Sequence, residues 1–309
     1  MKAIVGYTGF VGSNIYASGE FDAAFNSKNI EEAYGSRPEL LVYAGLRAEK
    51  FLANNDPQKD LEQVMQAEEN IRKIAPRKLI LISTIDVFKK PKDVDENSEI
   101  DKEGLHPYGY NRYILEERIR EEYPECLIVR LPGLFGKNIK KNFIYDMINL
   151  IPSMLKEEKL EEIVKKDPEI GKYYHKQENG FYKVEAAEEE RFLLREKFGK
   201  VGFSALNFTD SRSRFQFYDL GRLWEDIKLT DENGIRLWHP ATEPVSAAEV
   251  YEYVYGKEFK NELAAAPADY DYKTIHSGLF GRSDGYISGK GEILRDIKEF
   301  VERNLKTES

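Results

Sequence analysis

Apolar and polar positions follow two rhythms over the first 140 residues. Lys2–Gly6 (KAIVG), Leu40–Ala44 (LLVYA), Lys78–Thr84 (KLILIST) and Cys126–Leu131 (CLIVRL) are short, continuous apolar runs. Runs of this length bounded by Gly, Pro or charge read as strands buried on both faces. Between them the apolar residues recur at helical spacing. Val11–Ala17 opens on a glycine turn, and Pro57 to Ala75 carries Leu61, Val64, Met65, Ile71 and Ile74 with its proline in the first turn. Tyr108–Tyr123 carries Tyr113, Ile114, Leu115 and Ile119 opposite a charged side. Strands alternating with helices predict βαβ units, and hence a doubly wound parallel α/β sheet, the Rossmann architecture.

The rhythm changes after residue 150. Residues 151–200 hold 23 charged residues in 50, with sparse apolar positions such as Ile163, Tyr173, Tyr174, Phe192 and Leu193. This predicts a charged, solvent-facing helical insert. Phe203–Phe208 and Phe215–Leu220 read as short strands, and Ser246–Tyr255 and Glu292–Leu305 as helices. The expected division is a dinucleotide-binding domain over residues 1–140, to which part of 203–240 returns, and a smaller, mostly helical substrate lobe over 141–309.

Composition narrows the functional classes. The 309 residues carry 46 Lys+Arg against 55 Asp+Glu, a net charge of −9, which argues against a nucleic-acid binder. No apolar run approaches the roughly 20 residues that span a bilayer, and the start (MKAIVGYTGF) does not read as a signal peptide, so a cytoplasmic location is expected. The one cysteine, Cys126, excludes a disulfide framework, and the four histidines have no metal-ligand spacing, so no metal site is expected.

Chemistry enters at the first glycine turn. Gly6, Gly9 and Gly12 follow the first predicted strand and open the first predicted helix, with Phe10 and Val11 at its start. Glycines three apart allow a tight turn, close approach of a pyrophosphate to the backbone, and close packing of helix on strand. The helix N-terminus adds free N–H groups and partial positive charge. The acid usual some 20 residues on, which binds the adenosine ribose, is absent; Asn26, Ser27 and Lys28 stand there instead. Lys28 can meet a 2′-phosphate as a point charge, which tilts the expected cofactor from NAD slightly towards NADP.

Ser83-Thr84 closes the strand Lys78–Thr84, where ligands of open α/β sheets bind, and Asp86 follows two residues later. Tyr108 and Arg112 are four apart on the next helix and so share a face. A guanidinium beside a phenol lowers its pKa and predicts an acid/base group at neutral pH.

Together these segments resemble the extended short-chain dehydrogenase/reductase superfamily, which contains nucleotide-sugar epimerases, dehydratases and dTDP-4-dehydrorhamnose reductases. The resemblance covers about residues 1–140. It rests on Gly6, Gly9 and Gly12, then Ala44-Gly45, then Ser83-Thr84 with Val87-Phe88, then Tyr108 with Arg112, in family order. Arg130 to Gly136, including Pro132 and Leu134, is similar to the stretch that the family lays against its nicotinamide. The resemblance implies that Thr84 holds the substrate oxygen, Tyr108 transfers the proton, and residue 112 binds the nicotinamide ribose. Here the sequence departs from the family, which has lysine where this chain has Arg112. Arginine can bond a ribose but cannot release a proton, so a relay through it is closed.

On the substrate side, the basic run at Lys137, Lys140 and Lys141, with Asn142 beside it, can attract an anionic substrate, and the resemblance points to Arg214, whose fork suits a diphosphate. The expected activity is NAD(P)-dependent hydride transfer at a carbonyl or alcohol of an anionic sugar or nucleotide-sugar. The alternatives are an epimerase or dehydratase that recycles its cofactor, and a cofactor-binding sensor or scaffold without catalysis. A homodimer through sheet-flanking helices is usual for the family.

Overall fold

The computed structural model describes residues 1–307. Contacts divide the chain into two compact units: Met1–Ile139 with Arg214–Val245 and Asp269–Asp296, and Lys140–Ser213 with Ser246–Ala268 and Ile297–Ser309.

The first unit is built on six parallel strands: β1 (Lys2–Val5), β2 (Ala23–Phe25), β3 (Leu40–Tyr43), β4 (Lys78–Thr84), β5 (Leu127–Leu131) and β6 (Leu237–Trp238). Their order is β6-β5-β4-β3-β1-β2. Register pairs Leu41 with Leu79 and Leu81 with Ile128. Alternate side chains leave opposite faces, so each strand feeds two cores. Val5, Leu41, Leu81 and Ile128 pack with Val64 and Ile71 of α3 (Pro57–Ile74) and Leu115 and Ile119 of α4 (Pro107–Glu122). Ile4, Val42, Ile80 and Val129 pack with Ile15 of α1 (Phe10–Ser18) and Trp224 and Ile227 of α5 (Leu223–Glu232). Covering both faces with helices satisfies the buried runs seen in the sequence. The doubly wound parallel sheet is therefore the fold of this unit. The chain crosses from β2 over β1 to reach β3, which puts a topological switch point at the carboxyl ends of β1 and β3.

Several elements differ from expectation. The short β2 and β6 lacked an apolar run long enough to stand out. The first helical turn of the 47–60 stretch, α2 (Lys50–Asn55), was also not predicted. Residues 205–208 form a 3-10 turn rather than a strand, because Ser204 N–H donates to Asn207 Oδ1 at 2.7 Å and curls the backbone. Segment 269–296 belongs to the first unit rather than to the second. In the second unit the charged insert is not purely helical. Met154–Leu155, Tyr174–Lys176 and Tyr182–Val184 form a small antiparallel sheet beside helices at 157–166 and 188–201. Ile163, Ile170, Leu194 and Phe198 make its core. Among the described residues no helix is long and apolar enough to cross a membrane, and no cluster of His, Cys, Asp or Glu could hold a metal ion.

Candidate active site

The glycine turn is built for close approach. Gly6 adopts φ +91°, the left-handed region, and donates its N–H to Phe25 O at 2.7 Å. A Cβ on Gly6 would lie 2.6 Å from the Ala44 carbonyl carbon and 2.8 Å from Gly45 Cα, so the loops after β1 and β3 touch backbone to backbone. A Cβ on Gly12 would lie 2.7 Å from the Gly6 carbonyl carbon and closer still to its oxygen. Gly9 N–H closes the turn on Gly6 O at 2.9 Å. The first helical residues are Phe10, Val11 and Gly12, and α1 has neither a side-chain cap nor an acid in its first turn. Those three amides have no partner within the helix by geometry, and nothing local offsets their positive end. A pyrophosphate fits this arrangement.

At the end of β2, Asn26 is occupied locally: its Oδ1 accepts from Lys28 N–H at 2.9 Å, and its own N–H donates to Asn29 Oδ1 at 2.8 Å. Ser27 and Lys28 are exposed on that turn. Of the three residues expected there, these two present free surface to a ribose or its phosphate.

At the end of β4, Thr84 accepts from Asp86 N–H at 3.2 Å and lies within hydrogen-bonding reach of the Tyr108 phenol. Tyr108 stands in the first turn of α4, where its own N–H donates to Asn54 Oδ1 of α2 at 3.0 Å. Gly109 is required at its position, since a Cβ there would strike the Asp86 carbonyl and lie 3.0 Å from the His106 ring. The sequence thus brings Thr84 and Tyr108 together as expected. Their electrostatics differ from expectation. Burial pushes the phenol up, Arg112 and the Thr84 hydrogen bond pull it down, and Asp86 and Asp60 add to the rise, so that together they hold it at about 12. Desolvation of the phenolate outweighs the guanidinium, so the hydroxyl holds its proton at neutral pH.

Arg112 does not project towards free space. Only 4% exposed, it forms an ion pair through Nη1 with Asp60 and donates from Nη2 to Arg47 O at 2.8 Å. Its guanidinium carbon lies 4.2 Å from the Tyr108 ring centroid. Both terminal nitrogens are therefore taken within the protein. Ser83 also turns inward: its hydroxyl donates to Glu116 at 2.6 Å, and Glu116 holds the buried Arg130 in a bidentate pair at 2.6–3.1 Å. That carboxylate, not a ligand, is its partner. Ala44 and Gly45 lie against the glycine turn, as described above. Pro132 links β5 to a short strand, Gly133–Phe135, which holds Leu134 and pairs in parallel with Phe217–Asp219.

Arg214 sits between two carboxylates, Asp269 and Asp271, at 3.2 Å each. Both terminal nitrogens thus face carboxylates that offset its charge. Asn142, in the second unit, adopts φ +95° and caps a short helix by accepting from Ile144 and Tyr145 N–H at 3.0 and 3.2 Å.

Three residues that partner Asp86 and Arg112 show no signal in the sequence because they lie far away in the chain. Lys50 Nζ meets Asp86 Oδ1 at 2.9 Å, the Tyr270 hydroxyl donates to the same oxygen at 3.3 Å, and Asp60 reaches α4 from α3. His106 caps α4 by accepting from Gly109 N–H at 3.0 Å, and burial and Lys50 lower its pKa. The arrangement offers a neutral phenol donor with a hydroxyl beside it, flanked by a second group of carboxylate, ammonium and phenol.

No protein-family model matches the sequence, and no curated protein matches it. Solved structures match the fold along the whole chain. A dTDP-4-dehydrorhamnose reductase from Bacillus anthracis, in complex with NADP, aligns with TM-score 0.63 at 16% identity over 98% of this chain and 97% of that one. A UDP-glucose 4-epimerase from Thermotoga maritima, solved with UDP-glucose, gives 0.62 at 14% over 100% of both. A short-chain dehydrogenase/reductase superfamily protein from Agrobacterium tumefaciens with bound NAD gives 0.59 at 13% over 100% and 99%. The chain thus has the fold of the extended short-chain dehydrogenase/reductases, the group its motifs resemble.

Proposed function

We propose that this protein is an NAD(P)-dependent oxidoreductase acting on a carbonyl or alcohol of a sugar or nucleotide-sugar, with Tyr108 as its acid/base. The observation that carries the reading is one arrangement within one unit. A glycine turn with no room for a Cβ opens an uncapped helix at the sheet's switch point, and Thr84 and the Tyr108 phenol stand together at the carboxyl end of β4. Phe10, Val11 and Gly12 amides would hold the pyrophosphate, and Ser27 and Lys28 the adenosine ribose with its 2′-phosphate, which favours NADP. The bound nicotinamide would supply or take up the hydride. Thr84 would orient the substrate oxygen and Tyr108 would give it a proton. The residue types at Thr84 and Tyr108 and the folds of the neighbours support the reading. Isothermal titration with NADPH and NADH tests it: a stoichiometric complex is expected, tighter for NADPH, and binding of neither would remove it.

Asp86 favours a second reading. A carboxylate held by Lys50 and Tyr270 beside Thr84 is a second acid/base station, as an epimerase or dehydratase would need. Nicotinamide retained through purification, with no net consumption of added cofactor during turnover, would select it.

A further inference from the structure

Resting on the oxidoreductase reading, we propose that Asp60 is a positioning residue for Tyr108: it clamps Arg112 against the phenol ring and offsets its charge, so that the hydroxyl enters the reaction as a proton donor.

Three groups meet in sequence. The guanidinium carbon lies 4.2 Å from the phenol ring centroid, and the guanidinium's Nη1 is paired with Asp60. Asp60 Oδ2 also accepts from Asn111 Nδ2 at 2.8 Å, and Asn111 Nδ2 further donates to Pro57 O at 3.1 Å. Asp60 and Arg112 are 7% and 4% exposed, so water screens neither. The clamp is over-determined, since Arg47 O, Pro57 O and Asp60 all come from the 47–60 stretch and all converge on α4.

A bare cation against the ring favours the phenolate, and a carboxylate paired with that cation opposes the effect. The charged and titratable groups facing the phenol are Arg112 and His106 from its own helix and cap, Asp86 after β4, and Asp60 from α3. The guanidinium thus serves more to hold the ring in place than as an activating charge. A buried ion pair is on average a poor stabiliser, because desolvation of both partners offsets their attraction. Its position against Tyr108 therefore calls for a role beyond stability. A phenol that starts protonated serves carbonyl reduction. In that reaction Tyr108 would pass its proton to the carbonyl oxygen, reduced nicotinamide when bound would supply the hydride to the carbonyl carbon and be oxidised, and the phenolate left behind would face Arg112.

The test reads the phenol itself, with no cofactor or substrate, so its outcome is independent of the titration with NADPH. The protein is labelled with [13Cζ]tyrosine, and the Tyr108 resonance is assigned by its loss in Tyr108→Phe. In the wild type it should remain protonated through about pH 10, where an ordinary tyrosine is half ionised. In Asp60→Asn the midpoint should fall by about one to three pH units as Arg112 acts unopposed. In Asp60→Asn/Arg112→Gln it should return to the wild-type range, since Asp60 acts through Arg112. Asp60→Ser, small and able to accept the same donors, replaces Asp60→Asn if the latter does not fold. A folded variant with an unmoved Tyr108 titration, or a double variant that titrates like the single one, would overturn the proposal. Failure of both single variants to fold would mark Asp60 as a stability element and overturn it equally.

Discussion

Alanine at Gly12 is the sharpest perturbation of the glycine turn, and alanine at Gly9 is its internal control. At Gly12 the added Cβ sits 2.7 Å from the Gly6 carbonyl carbon and 3.2 Å from Tyr7 N, and both are backbone atoms that cannot swing aside. Side-chain carbons essentially never approach under 3.0 Å, so α1 must move off β1. Gly6 cannot give way, because its carbonyl also accepts Gly9 N–H and its own Cβ position is filled by Ala44 and Gly45. Overpacking of this kind costs about 1–3 kcal/mol. At Gly9 the nearest atom is Gly6 O at 3.3 Å, and φ −78° suits any residue. There the loss of a tolerated N-cap glycine and the gain from a stiffer unfolded chain nearly cancel, within about 1 kcal/mol. Urea unfolding of the two variants, with NADPH titrated into each, is the assay. Gly12→Ala should unfold earlier and lose NADPH affinity by about tenfold for every 1.4 kcal/mol of strain carried into the phosphate site. Gly9→Ala should unfold like the wild type. Equal stability of Gly12→Ala and wild type, or equal damage at both positions, would refute the close-approach argument.

Other consequences follow from the same geometry. Tyr108→Phe should lower turnover by about 10²–10⁴-fold while leaving NADPH binding intact, as a steady-state assay beside a binding titration will read. Lys28→Ala should weaken NADPH about tenfold and leave NADH unchanged, because only the 2′-phosphate meets that ammonium. Glu116→Gln removes the carboxylate that holds Arg130 and accepts Ser83, so denaturant unfolding should report a loss of about 3–5 kcal/mol. His239 is buried, and desolvation with the nearby Arg130 lowers its pKa from 6.5 to about 3. The unfolded chain therefore binds the extra proton between those values, and the stability this group contributes is present above pH 6.5 and lost as pH falls towards 3. His239→Gln should flatten that part of the stability curve, with a difference of about 2–3 kcal/mol developing between pH 6.5 and 4.5.

Much of the sheet was legible because its strands are buried on both faces, which leaves runs such as KLILIST with no polar interruption. Those runs, with the helical spacing between them and the proline at the start of α3, placed four of the six strands and the helices α1, α3 and α4. β2 and β6 escaped because three and two residues carry no periodicity. The glycine turn and the Thr84–Tyr108 pair were readable because local spacing sets each of them on a turn or a helix face. What spacing could not reveal was the surroundings. Arg112 promised a phenol activated by charge, but its partner, Asp60, lies 52 residues upstream on α3, and no local pattern announces it. Arg214 promised a phosphate fork, but its two aspartates lie more than 50 residues on. Lys50 and Tyr270 meet at Asp86 for the same reason: the fold closes contacts that periodicity does not encode.

The central claim is that a nicotinamide cofactor rests on the glycine turn with its reactive ring towards Tyr108. A crystal structure of the protein with NADPH tests it most directly. The pyrophosphate should lie against the amides of Phe10, Val11 and Gly12, the 2′-phosphate beside Lys28, and the hydride-bearing carbon on the Tyr108 side, with room for a carbonyl at about 3–3.5 Å from both. A cofactor bound elsewhere, or a nicotinamide ring turned away from the phenol, would contradict it.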